Sequence, residues 1–391
     1  MLLISYLKFI KDYLRQKTLS ESKDLVMIEE SNKSIIVLID AFTPGGAQRN
    51  LQLLVPVWLK RGYSVSLVLI QDNQNELELD FSESPSFSII RIRAKNLNDF
   101  SAFLRLRKIF KENRPTLIIA NLYWSQLWSS LAKNAYPKAT LIWVEHNTYI
   151  ARTRFKWFIY RILSQKASQI LAVSHEIKEY LSGLDLPKVS VIHNSVSPYL
   201  DALEFEKRER IFLFIGRLVP QKNPELALRA FLAALEDNVV SKDFKLLFIG
   251  DGELKENLIQ IAKSHPNGGQ VEFLGFLSQP EVRRHLRKGY ALLLSSHFEG
   301  LPLVRLEALE FGLCHITTRT SGIQGLFEFD SFGEISTPGV VIADDLQAFK
   351  AGIAKVLSAE YRTTESAEKR RALVRNYYPE RVAGDYLSYE N

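Results

Sequence analysis

The 391-residue sequence holds one cysteine, Cys314, and no apolar run near the ~18 residues a membrane-spanning helix needs. One cysteine excludes a disulfide framework and makes a reducing compartment the simpler setting. No CxxC occurs, and the seven histidines stand singly, so no zinc-ligand spacing exists. GxGxxG is missing after the first strand candidate, and no acidic residue ends the second, which disfavours a nicotinamide dehydrogenase. There is no 20–50-residue repeat and no low-complexity segment. The opening MLLISYLKFIKDYLRQK lacks the plan of a signal peptide: it begins apolar, its charges follow, and no small-residue cleavage site is visible. Its Leu3, Leu7, Ile10 and Leu14 recur every three or four positions, with Lys8, Lys11, Arg15 and Lys17 between. That is an amphipathic helix, which could lie on a membrane or pack on the protein's own body.

The length suits two or three domains, and 46% hydrophobic with 24% charged residues is ordinary for a soluble globular enzyme. The net charge of +6 is unevenly spread. Residues 1–200 carry 26 Lys and Arg against 17 Asp and Glu, whereas residues 201–391 carry 24 against 27. A basic first half implies an anionic partner or surface, unless the excess is an ordinary basic surface.

From residue 34 short apolar runs alternate with helical patterns. SIIVLID, YSVSLVLI, FSIIRIRA, TLIIAN, TLIWVEHN, ILAVS and VSVIHNSV read as strands of the first half. Pro56 should kink or disturb the first helix. SPYLDALEFEKRER reads as a charged, structureless linker, after which IFLFIGR, KLLFIGDG, VEFLGF, ALLLSS and CHITT are strand candidates. Near-continuous apolar strands alternating with helices mean parallel sheets covered on both faces. The expected fold is α/β, with two doubly wound Rossmann-like domains facing a cleft. The expected divisions are an amphipathic extension at 1–33, a first Rossmann-like domain at 34–200 and a second at 201–375. A helical tail follows at 376–391 and could pack back on the first domain.

Ligands of such sheets bind at the carboxyl ends of strands, and the motifs cluster there. Gly45 and Gly46 stand between the first strand and its helix, where glycine lets the backbone approach an anion at a helix start. Gly216-Arg217 and Lys222 follow IFLFI; a planar fork and a mobile ammonium together suit a diphosphate. Gly250 and Asp251 follow KLLFI, although Gly-Asp-Gly is also an ordinary turn. The backbone at Phe276 and Leu277, after VEFLG, could hold a flat ring. His146, in Glu-His-Asn-Thr after TLIWV, would face the same cleft. In HFEGLPLVRLEAL, Pro302 suits a helix start. That places Glu299 in the loop ahead and Glu307 inside the helix, leaning back toward its mouth. Gly300 and Leu301 complete the loop, and Leu303 and Val304 offer free N–H groups to a phosphate. Two carboxylate acceptors flanking an anion site look like a nucleotide-sugar pocket.

Taken together these residues resemble the retaining glycosyltransferases of family 4, which have the GT-B fold. The resemblance spans roughly residues 34–375 and rests on EGLPLVRLE, GRLVPQKNPELALRAF, IGDGEL and the early GGAQR. It implies that Glu299 bonds hydroxyls of a donor sugar and Glu307 the ribose. Arg217 and Lys222 would neutralise the departing diphosphate, Leu303 would hold a phosphate and Leu277 the base. Gly45 and Gly46 would approach the diphosphate or acceptor, and His146 would sit beside the reacting sugar. The family needs no metal or other cofactor, and no convincing Asp-x-Asp occurs here. Cys314 and SGIQG depart from the family pattern, which touches the donor-sugar contacts near Thr320 to Ile323.

The implied reaction is retaining hexosyl transfer from a nucleotide sugar, with UDP-sugars favoured. The acceptor would be lipid-linked or a saccharide, in cell-surface polysaccharide or glycan synthesis. The competing class is a GT-B protein that binds sugar nucleotides without turnover or reacts differently. RTRFKWFIYRILSQK mixes Arg152, Arg154, Lys156 and Arg161 with Phe155, Trp157, Phe158 and Tyr160, which suits a peripheral contact with an anionic membrane. The expected place is therefore cytoplasmic, on the inner face of the plasma membrane. Nucleic acid is not expected, since no nucleic-acid module is present.

Overall fold

Thirteen strands among the described residues form two sheets, and every pairing in both is parallel. The computed structural model describes residues 33–390 apart from 43–44, 72–83, 96–98, 147–153, 185, 187, 202, 320–322, 324–325 and 328–335. The amphipathic segment read at 1–33, Lys33 excepted, lies outside the described residues. So do Arg152, Thr320 and the side chains of Arg154 and Phe155.

The first sheet comprises β1 (Ser34–Ile39), β2 (Ser64–Leu69), β3 (Phe87–Arg91), β4 (Leu117–Asn121), β5 (Thr140–Glu145), β6 (Gln169–Ala172) and β7 (Val189–Val191), in the order β3-β2-β1-β4-β5-β6-β7. The second comprises β8 (Ile211–Ile215), β9 (Lys245–Ile249), β10 (Val271–Gly275), β11 (Ala291–Leu294), β12 (Cys314–Thr317) and β13 (Val340–Ile342), in the order β10-β9-β8-β11-β12-β13. All six residues of β1 and all five of β4 are buried, because helices cover both faces. Each large apolar side chain so buried contributes about 1.5–3 kcal/mol.

The first half's helices are α1 (Gly46–Lys60), α2 (Phe100–Asn113), α3 (Tyr123–Ala132), α4 (Arg154–Ser164) and α5 (His175–Ser182). α1 runs on through Pro56 rather than ending there. α3 is absent from the sequence reading. It starts at Leu122, which has a left-handed φ of 69° and supplies no side-chain cap. Asp40, at the end of β1, caps it from outside, accepting the Ser125 N–H at 2.8 Å and hydroxyl at 2.6 Å.

The second half carries α6 (Pro224–Glu236), α7 (Lys255–Ser264), α8 (Gln279–Lys288), α9 (Leu303–Glu310), α10 (Leu346–Val356), α11 (Thr364–Ala372) and α12 (Pro379–Leu387). The stretch read as a structureless linker is packed. Leu203 and Phe205 are buried, and Phe205 meets Tyr290 edge-on. The charges around these two apolar residues masked them in the sequence. α12 packs on α1, where the Trp58 indole N–H donates to the Ala383 carbonyl at 3.2 Å.

Candidate active site

The strand order reverses between β1 and β4 in one sheet and between β8 and β11 in the other. Loops diverge at such points and open a crevice at the carboxyl ends of the strands. Glycine shapes these loops where backbones meet. Gly250, with φ +133°, faces the Gly216 carbonyl so closely that a Cβ would lie 2.0 Å from its oxygen. Leu218 N–H donates to the Asp251 carbonyl at 2.9 Å, lacing the β8 and β9 loops together. Gly250 is thus demanded by loop packing. The Asp251 carboxylate is engaged locally by Lys255 at 2.9 Å and by the Gly252 N–H at 2.8 Å. These bonds, Lys255 first, hold it below the usual carboxylate range.

The β8 and β11 loops are also laced. Ser295 donates to the Asn223 carbonyl at 2.7 Å, and the His297 N–H donates to Gln221 O at 2.8 Å. This seats Lys222 against Glu299. The two form an ion pair with side chains 16% and 9% exposed, and the Ser296 hydroxyl donates to the same carboxylate oxygen at 2.7 Å. Two charges so far from water persist only when paired and hydrogen-bonded. Arg217 stays exposed beside them and reaches Gln221 at 3.3 Å. Gly216, with φ +154°, has only the aliphatic part of Lys222 near the place of a Cβ.

Pro302 caps α9, which begins at Leu303. The N–H groups of Leu303 and Val304 lie in its first turn, where a helix has no acceptor of its own. Glu307 lies one turn on and accepts from Gln279 at the start of α8. Burial pushes its carboxyl above the usual range, while Arg49 of α1, Arg283 of α8 and Gln279 oppose the shift. Phe276 is 69% exposed and Leu277 half-buried, in the loop between β10 and α8 that leads to Gln279.

The first half clamps the Glu299 loop. A Cβ on Gly300 would lie 2.0 Å from the His146 carbonyl oxygen. Asn194 donates to the Leu301 carbonyl at 3.0 Å, and the Ile323 N–H donates to Glu176 at 3.0 Å. The His146 ring bonds through Nε2 to Asn121 Oδ1 at 3.0 Å, and burial holds it down to about 4, so it is neutral at neutral pH. Gly46 is exposed at the start of α1, with no atom within 4 Å of where a Cβ would stand, and Gly45 is exposed before it.

The structure therefore gathers Glu299, Lys222, His146 and Gly300 closely, while Glu307, inside α9, is bonded to Gln279 of α8. Arg49, Gln279, Arg283 and Ser296 belong to the setting and escaped the sequence reading. Arg49 lies in GGAQR, on the first turn after the glycines, which is the one signal that marked it. Among the described residues no group of three His, Cys, Asp or Glu is placed to hold a metal.

Residues 44–199 match the model described as Glycosyltransferase Family 4, and residues 199–378 the model described as Glycosyl transferases group 1. The chain belongs to the GT-B glycosyltransferases of family 4. An N-acetyl-D-galactosaminyltransferase of Campylobacter jejuni, named for a GalNAc-containing diNAcBac-PP-undecaprenol acceptor, is 28% identical to this glycosyltransferase over 291 residues. That match covers 73% of this chain and 79% of the relative. The Escherichia coli UDP-Gal:alpha-D-GlcNAc-diphosphoundecaprenol alpha-1,3-galactosyltransferase is 23% identical over 307 residues, 72% of this chain and 76% of its own. The fold matches that of Anabaena HepE in complex with UDP and glucose. There the TM-score is 0.73 at 15% identity, over 91% of this chain and 98% of the other.

Of the aromatics expected at a membrane, Tyr160 points inward instead. It is fully buried and bonds Glu145 at 2.5 Å. Trp157 stacks on it, with ring centroids 5.3 Å apart. One face of α4 must cover the sheet, and these two rings supply it. Phe158 (60%) and Ile162 (52%) are exposed, beside exposed Lys156 and Arg161. No helix among the described residues is long and apolar enough to cross a membrane.

Proposed function

We propose that this glycosyltransferase moves a hexosyl group, with retention of anomeric configuration, from a UDP-sugar to a lipid-linked saccharide in surface-glycan synthesis. The observation that supports the reading is a pair of buried carboxylates, one in the loop before α9 and one inside it: Glu299 paired to Lys222, and Glu307 bonded to Gln279 at the start of α8. Carboxylates accept from sugar and ribose hydroxyls, and the first-turn N–H groups between them suit a phosphate. Both relatives named above bear lipid-diphosphate acceptors in their names, and one a UDP-sugar.

In this scheme the bond from the anomeric carbon to the diphosphate oxygen breaks, leaving negative charge on phosphate and positive charge on the sugar. Lys222, Arg217 and the N–H groups of Leu303 and Val304 stabilise the first. Glu299 holds donor hydroxyls and Glu307 the ribose. Neutral His146 bonds a hydroxyl beside the reacting sugar. The acceptor oxygen attacks the same face, and its proton passes to a phosphate oxygen of the leaving group. The chemistry as written needs no metal. The exposed Phe158 and Ile162, with Lys156 and Arg161, support docking on an anionic membrane that presents the acceptor.

A thermal-shift and hydrolysis panel of UDP, GDP and ADP sugars tests the donor. Stabilisation and hydrolysis with uridine nucleotides are expected, and a preference for guanosine or adenosine overturns the base. Lys222→Ala and Glu307→Ala should each lower turnover at least ~100-fold. Unchanged hydrolysis in both sinks their assignment. The anomeric configuration of the first-formed product, followed by NMR, tests retention.

A further inference from the structure

Glu299 is held from behind by a buried set of side chains that reaches Arg305, a residue with no part in the scheme above. Arg305 sits in the first turn of α9 and is fully buried. Its Nη2 donates to the Thr317 hydroxyl at 3.0 Å, and that hydroxyl donates to the Thr318 carbonyl at 3.0 Å. The Thr318 hydroxyl donates to the Ser296 carbonyl at 2.6 Å, and the Ser296 hydroxyl donates to Glu299 Oε1 at 2.7 Å. Every member is buried. We propose that Arg305 and Ser296 are positioning residues that fix the Glu299 carboxylate for the donor sugar.

Three features carry this. A carboxylate pulled only by Lys222 would follow that long, flexible side chain; a second donor from a short serine on the same oxygen, Oε1, pins that oxygen in place. Ser296 is itself held at its backbone carbonyl by Thr318, the residue just after β12, so its main-chain position is tied to the sheet as well as to its own loop. A guanidinium fully out of water is costly unless carboxylates balance it. Burial pushes Arg305 down to about 10, and Glu299 first and Glu176 second work against that shift. Both carboxylates border the same junction, since Glu176 also accepts the Ile323 N–H of the second half. Arg305 is thus a second cation, besides Lys222, that favours the charged Glu299 carboxylate.

The inference rests on Glu299 holding the donor sugar, and its test separates the two claims. In hydrolysis of UDP-galactose and UDP-N-acetylgalactosamine, Ser296→Ala and Arg305→Met should each lower kcat by roughly tenfold or more through misplacement of Glu299. UDP affinity by calorimetry should stay within about twofold, because UDP lacks the sugar. Arg305→Lys should recover part of what Arg305→Met loses. On a Glu299→Gln background, Ser296→Ala should cost nothing further. An undiminished second loss on that background, or equal weakening of UDP binding, overturns the proposal. Thermal unfolding reads the contact without any donor. Combined Ser296→Ala and Glu299→Gln should lower Tm by less than the sum of the single losses, and additive losses overturn the positioning role. If the wild type turns over no nucleotide sugar, the donor reading fails while this thermal cycle still decides the contact.

Discussion

Burial acts in opposite senses on the buried histidines and glutamates of this protein, and acid titration separates them. His146 is held at about 4 and His315 at about 3, both by burial first, against an ordinary 6.5. Between pH 6.5 and about 4 the unfolded chain binds their protons and the folded chain does not. Their contribution is intact above 6.5 and is lost as the pH falls, at up to about 1.4 kcal/mol per pH unit for each group. Glu307 and Glu310 are raised by burial above an ordinary 4.5, so the folded chain keeps their protons longer. Their contribution is intact below 4.5 and is lost as the pH rises through the folded value. The two effects oppose each other above pH 4.5. His146→Asn should flatten the fall of stability on acidification from 6.5 to 4.5, and Glu307→Gln should steepen it. Urea unfolding at half-unit steps of pH checks both signs.

At the scale of elements, two glycines in similar loops answer to different demands. Gly46 opens α1 with nothing near the place of a Cβ, and alanine is the better helix former by about 1 kcal/mol. Gly46→Ala should leave Tm unchanged or higher while lowering donor hydrolysis about tenfold or more, if that open space is where a ligand approaches. Gly300→Ala should instead lower both, because its Cβ would strike the His146 carbonyl and push the halves apart. Equal Tm losses in the two variants would remove the distinction. The elements differ likewise in how far the sequence displayed them. Strands buried on both faces are unbroken apolar runs, so β1, β4, β5, β8 and β11 were legible. α3 was not, since YWSQLWSSLA has no charge to mark an outer face and takes its cap from Asp40, more than 80 residues away. β13, three residues long, was too short to show any period. Glu299, Glu307 and Lys222 could be named as candidates because local motifs carry them. Arg49, Arg283 and the Arg305 set were not, since they reach the site only through packing between helices and strands.

At the scale of the whole molecule, the chain passes between the halves twice, and both passages are tied at one carboxylate. Glu310, fully buried, accepts the Tyr199 N–H at 2.7 Å and the Tyr378 hydroxyl at 3.0 Å, with Arg371 at 3.4 Å. Beyond Tyr378 the chain returns to the first half. Tyr386, 2% exposed, meets Trp58 edge-on with centroids 5.7 Å apart, and the Arg61 guanidinium donates to the Glu380 carbonyl at 2.5 Å. The last helix is therefore part of the first half's packing, although the second half precedes it in sequence. Tyr386→Ala would open a cavity against Trp58, at a cost of about 3–5 kcal/mol typical of a buried aromatic. The loss should fall on α1 and β1, seen as faster hydrogen exchange there and a lower unfolding midpoint. Affinity for UDP should stay within about twofold at 20 °C, since the loops proposed to hold the nucleotide belong mainly to the second half. Exchange that rises around α9 and β11 instead, with UDP binding lost in proportion, would assign the tail to the other half.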